Sequence, residues 1–196
     1  MMRLCTFPLL IITLLASGLA AGLSVPANPA AKQSYGKLLA NVDTSGLPPE
    51  VKSSIALLTA KLKKQPGANC VQFRGRSGSG KTLAAALLAK GLGRDAYRVD
   101  LAAVMSKYIG ETEKNLDRVF SVAAAHNWVL FFDEADALFG KRGEVKDAHD
   151  RYANIQANYL LTRLEEFQGI WIVSSNSQII LKPGLDKRCS YRVKFD

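Results

Sequence analysis

Gly75-Arg76-Ser77-Gly78-Ser79-Gly80-Lys81-Thr82 fits the pattern GxxxxGK[ST] without a mismatch, and it narrows the possible folds more than any other stretch of the chain. Glycines at these intervals let successive backbone N–H groups turn inward on one point. A helix that starts at the lysine adds the positive end of its dipole to the same point, so the loop is built to hold an anion. The segment ahead, Cys70 to Phe73, is short and apolar and reads as a buried strand. The segment behind, Lys81 to Lys90, is Ala- and Leu-rich and reads as a helix ended by Gly91 and Gly93. Strand, glycine loop and helix in that order make a phosphate cradle. Lys81 is expected to reach the β- and γ-phosphates of a nucleotide, and Thr82 to offer its hydroxyl to Mg²⁺.

Trp128 to Phe132 is a continuous apolar run, as expected of a strand covered on both faces, and Asp133-Glu134 follows it directly. In a parallel sheet that end of the strand is where ligands bind. Asp133 is a hard-oxygen partner for Mg²⁺ through its water shell. Glu134 is placed to polarise an attacking water. Alone, the pair reads equally well as acidic residues capping a following helix. Behind the glycine loop it points to ATP as the ligand and to hydrolysis.

The rest of the chain alternates in the same way. Val51, Ile55, Leu58 and Leu62 recur at helical spacing after Pro48-Pro49, and Tyr97 to Leu101 reads as a strand. Leu116, Val119, Phe120 and Ala123 mark a helix, with Thr112 read as its cap. Ala157, Leu160, Leu161, Leu164 and Phe167 share a helix face, and Ile170 to Val173 and Tyr191 to Phe195 read as strands. The fold expected is α/β, a parallel sheet flanked by helices. Residues 48–196 are read as the nucleotide-binding domain and 24–47, rich in Ala, Pro, Ser, Gly and Asn, as a linker. Phe7 to Leu23 is almost wholly apolar and follows Arg3, so residues 1–23 read as a signal-like segment or an anchor. Seventeen residues of helix span roughly 26 Å, slightly short of a bilayer, so contact with a membrane through residues 7–23 stays open.

The net charge of +9 raises the expectation of an anionic partner without choosing one. Basic and aromatic residues are not interleaved in the way single strands require, which disfavours nucleic acid. The three cysteines, Cys5, Cys70 and Cys189, show neither CxxC spacing nor an even count, which argues against a disulfide framework or a zinc site. Cys70 reads instead as a small core residue.

From Arg74 to Asp196 the chain resembles the large nucleotide-binding subdomain of AAA+ ATPases of the classical AAA clade. The likeness is strongest to bacterial AAA proteins, including those encoded with extracellular contractile injection systems. It is carried by Ser106 through Leu116, by Asp133 through Arg142, and by Val145 through Ile155. The resemblance implies that Tyr108 and Ile109 form a central-pore loop gripping polypeptide. It also implies that Asn176 positions the attacking water and that Arg188 serves a neighbouring subunit's γ-phosphate. Lys187 stands where the family carries a first arginine and cannot supply a bidentate fork. Arg76 stands where a proline is common. The family's small helical lid is not expected within these 196 residues. The function expected is Mg²⁺-dependent ATP hydrolysis by a ring-forming ATPase core, cytoplasmic in its ATPase domain, coupled to remodelling or threading of a protein partner. The alternatives are a nucleotide-binding scaffold with little hydrolysis and a DNA-processing AAA+ protein.

Overall fold

Apolar runs separated by helical periodicities leave this chain one economical arrangement, a sheet with helices on both faces. The computed structural model describes residues 35–65, 70–106, 108, 110–136, 148–176 and 189–195. In chain order the elements are β1 (Gly36–Leu39), α1 (Pro49–Lys64), β2 (Cys70–Gly75), α2 (Lys81–Gly91), β3 (Ala96–Val99) and α3 (Leu101–Val104). They continue with α4 (Glu111–His126), β4 (Val129–Phe132), α5 (Ala148–Glu166), β5 (Trp171–Ser175) and β6 (Tyr191–Phe195). The strands lie in the order β1-β3-β4-β5-β2-β6. Every neighbouring pair is parallel except β1 with β3.

Alternation along the strands divides the core in two. Val71, Phe73, Val129, Phe131 and Ile172 face the side covered by α1 and α2, where Ile55, Leu58, Ala84, Ala85 and Leu88 are buried. Leu130, Phe132, Trp171 and Val173 face the side covered by α4 and α5, among Leu116, Phe120, Leu160 and Leu164. All four residues of β4 are fully buried, as the unbroken apolar run predicts. Burying each of its phenylalanines contributes about 1.5–3 kcal/mol, so the strand that carries the acidic pair is firmly anchored.

Three details depart from the sequence reading. First, the stretch 24–47, read as a linker, contains β1, and the boundary at 48 falls inside the sheet domain. Gly36-Lys37-Leu38-Leu39 has no alternation to show because it is an edge strand with exposed central residues. It is tied in by its ladder to β3, by Asp100 N–H donating to Tyr35 O at 2.8 Å, and by the Tyr35 hydroxyl donating to Asn115 at 2.8 Å. Second, Thr112 does not cap α4. Gly110, at φ 79°, holds the cap position, and Thr112 is buried with its hydroxyl accepting from Ser106 N–H and Gln156 Nε2. Third, Cys70 and Cys189 are joined as a disulfide. Their separation of 119 residues hides the pairing in the sequence, but the β2–β6 ladder sets Val71 opposite Tyr191 and brings the two Cα atoms to 4.5 Å. Cys70 is nonetheless the buried residue expected.

Among the described residues no helix is long and apolar enough to cross a membrane. The apolar segment 7–23 lies outside the described residues.

Candidate functional site

β2 delivers the chain to Gly75, and α2 takes it up at Lys81. The loop between them turns through Gly78 at φ 79° and Gly80 at φ 89°, values that an L side chain rarely adopts. Gly80 caps α2 without a side-chain hydrogen bond, so the first-turn N–H groups remain to face an anion. Lys81 is buried, with its ammonium donating to Gly75 O and Arg76 O at 2.6 Å each. It therefore sits inside the curl of the loop. Ser77 is exposed and the Ser79 hydroxyl is buried within the loop.

Facing the loop is the end of β4. The Thr82 hydroxyl donates to Asp133 Oδ2 at 3.4 Å, across 51 residues of chain. Asp133 Oδ1 accepts from the Ser174 hydroxyl at 2.7 Å and from Glu134 N–H at 3.1 Å. Arg98 Nη2 lies 3.0 Å from Asp133 Oδ2. Glu134 is exposed, and its backbone takes a left-handed φ of 51°. A non-glycine residue held there is a departure that clusters at functional sites. Its N–H also donates to Ser174 Oγ at 3.4 Å, so the turn is fastened to β5.

Asn176, just past β5, donates its N–H to Asp136 Oδ2 at 2.7 Å. Burial pushes the Asp136 carboxyl above its usual range, and the Asn176 hydrogen bond opposes that shift. Asn176, which the resemblance assigns to the attacking water, is thus tied by its backbone to the turn that carries the acidic pair. Tyr108 is 72% exposed, so its ring is not part of the core. Its N–H donates to Ser106 Oγ, whose hydroxyl in turn donates to Glu111 Oε2. Ile109, Lys187 and Arg188 lie outside the described residues.

The sequence-derived residues therefore meet in two groups: the loop with Lys81 and Thr82, and the strand ends with Asp133, Glu134 and Asn176. Arg98, Ser174 and Asp136 were missed. Each acts through a neighbour that the strand order alone supplies, since β3 and β5 flank β4. Thr82 Oγ1 and Asp133 Oδ2, two hard oxygens at the foot of a phosphate loop, are the donor set a Mg²⁺ ion takes. Beside them opens a cavity of about 510 Å³ lined by Lys37, Arg98, Asp100, Asp133 and Glu134 among others.

Comparison with known proteins points to one family. Residues 71–196 match the model of the ATPase family associated with various cellular activities (AAA). The chain is 35% identical over 126 residues to the AAA family ATPase y4kL of Sinorhizobium fredii, covering 63% of this chain and 38% of that one. It is 31% identical over 160 residues to the peroxisomal ATPase PEX6 of Saccharomyces cerevisiae, covering 76% of this chain and 15% of that one. The chain thus spans well under half the length of these relatives. The crystal structure of the FIGL-1 AAA domain superposes with a TM-score of 0.65 at 18% identity, over 86% of this chain and 63% of that one, a likeness of fold. With a complete glycine loop facing an Asp-Glu strand end, and with a family match over most of the domain that holds both, this chain belongs to the AAA family of ATPases.

Proposed function

We propose that the domain binds ATP with Mg²⁺, hydrolyses it, and couples its nucleotide state to remodelling or threading of a protein partner. The observation that carries this reading is the convergence of Thr82 and Asp133 beneath the loop that encloses Lys81. Turns of the loop present N–H groups to the β-phosphate, and the Lys81 ammonium exchanges its carbonyl partners for phosphate oxygens. Thr82 and Asp133 would hold Mg²⁺, which when bound offsets charge on the β- and γ-phosphates. Glu134 takes the proton of the water that attacks the γ-phosphorus, and ADP leaves with its phosphates still held by the loop. Asn176 orients that water, with its backbone held by Asp136. Arg188, in the family's arrangement, is supplied by a neighbouring copy to the γ-phosphate, so the active unit is a ring.

Lys81→Ala tests the cradle. Losing a charge-assisted contact of roughly 1.5–3 kcal/mol should weaken ATP binding at least about tenfold by calorimetry. Unchanged affinity would remove the loop as the phosphate site.

Coupling to a polypeptide rests on the exposed Tyr108. Tyr108→Ala should lose the partner-stimulated part of ATP turnover. Its melting temperature should not move, because an exposed side chain contributes little to stability. A fall in melting temperature, or full stimulation by an unfolded polypeptide, would remove Tyr108 from partner contact.

A further inference from the structure

Arg98 has no part in the chemistry above, yet it reaches the centre of it. β3 lies beside β4, and along β3 Ala96 faces the α1/α2 side while Val99 faces the α4/α5 side. Alternation therefore sends Arg98 to the α1/α2 side, which is also the side of α2 and Thr82. There its guanidinium meets Asp133 Oδ2 at 3.0 Å. The Asp133 carboxylate is fully engaged: Oδ1 holds Ser174 Oγ and Glu134 N–H, and Oδ2 is shared by Thr82 Oγ1 and Arg98.

A divalent ion approaching this carboxylate meets a competitor. Ser174 and the Glu134 N–H shape the turn itself, and Thr82 belongs to the metal's own donor set. Arg98 alone among the four brings a positive charge. Its side chain is 47% exposed against 13% for Asp133, so it can swing out while the aspartate stays. The adjoining cavity of about 510 Å³ is lined by both Asp100 and Glu134, carboxylates able to receive a displaced guanidinium.

We propose that Arg98 is a built-in counter-cation for Asp133, competing with Mg²⁺ for the same carboxylate oxygen and so setting how much metal nucleotide loading requires. It is a positioning residue, and the inference rests on the reading of this site as a Mg·ATP site. Arg98 neutralises a mostly buried carboxylate that would otherwise be costly to leave unpaired. That same contact raises the metal concentration at which Asp133 changes partner.

The test measures Mn²⁺ binding, by the EPR signal of the free ion, to full-length protein with a saturating non-hydrolysable ATP analogue. Arg98→Met should tighten Mn²⁺ by about three- to fivefold, the upper part of what loss of a half-exposed ion pair implies. Arg98→Gln repeats the deletion with a polar side chain and should agree. Arg98→Lys keeps the charge and should stay within about twofold of the parent. Lys37→Met is the control for a general field effect. Lys37 faces Arg98 across the β1–β3 ladder and lines the same cavity, without a contact to Asp133. It should shift Mn²⁺ binding much less than Arg98→Met. Equal tightening by both would overturn the competition, and so would unchanged or weaker Mn²⁺ binding in Arg98→Met and Arg98→Gln. A parent protein that takes up no Mn²⁺ with nucleotide would instead sink the assignment of the site itself.

Discussion

Glu134→Gln should bind ATP as tightly as the parent and hydrolyse it roughly 10²–10⁴-fold more slowly, the span over which a positioned general base acts. The substitution keeps the length and shape of the side chain and leaves Lys81, Thr82 and Asp133 in place. It removes only the carboxylate that accepts the water's proton. Backbone geometry makes the choice of glutamine important. Residue 134 sits at φ 51°, with its N–H fastened to Asp133 and Ser174. A β-branched replacement would be a severe outlier there and would confuse a chemical loss with a distorted turn. Single-turnover hydrolysis with enzyme in excess, alongside calorimetric affinity, separates chemistry from binding. Parental turnover in the glutamine variant would take Glu134 out of the mechanism.

The second large effect is on stability. Joining Cys70 to Cys189 closes a loop of 119 residues that encloses most of the domain. In the chain-entropy account a loop of about a hundred residues is worth ~4.7 kcal/mol against the unfolded chain. For a domain of this size that corresponds to a melting temperature roughly 10–20 °C lower once the bond is gone. Cys70→Ala with Cys189→Ala should show the drop under non-reducing conditions, and reductant should produce a similar drop in the parent but none in the double variant. Both sulfurs are buried, so reduction should be slow until the domain opens. Thiol titration of denatured, unreduced protein offers a direct count: three free thiols from the three cysteines would show that the bond does not form.

What could be read from the sequence was what local chemistry dictates. The glycine loop needs its strand before and its helix after, so β2 and α2 followed from Gly75 to Thr82. The apolar run ending in Asp133-Glu134 could only be a buried strand with its acids at the rim, and β4 is fully buried. The features that escaped depend on which strands become neighbours. Strand β1 has two exposed central residues and no alternation, and its place is decided by its ladder to β3. Arg98 looked like one basic residue in a short strand until β3 settled beside β4. The odd cysteine count concealed a pairing that only the β2–β6 ladder creates. Thr112 has the composition of a helix cap, but Gly110 turns the chain first and Thr112 is drawn inward to Ser106 and Gln156.

The strand order also bears on how copies of the domain can meet. Among the described residues the sheet is open at β1 and at β6, and each rim carries exposed cations, Lys37 on the first and Arg192 and Lys194 on the second. An open rim offers unpaired N–H and C=O groups that invite another strand to add on, and charge along the rim is a recurrent guard against it. Two copies approaching rim to rim would bring like charges together, with a repulsion that reaches furthest in dilute salt. These rim cations therefore weigh against rim-to-rim addition of copies, apart from any anion that the +9 balance attracts. Raising the ionic strength is the condition under which this protection weakens.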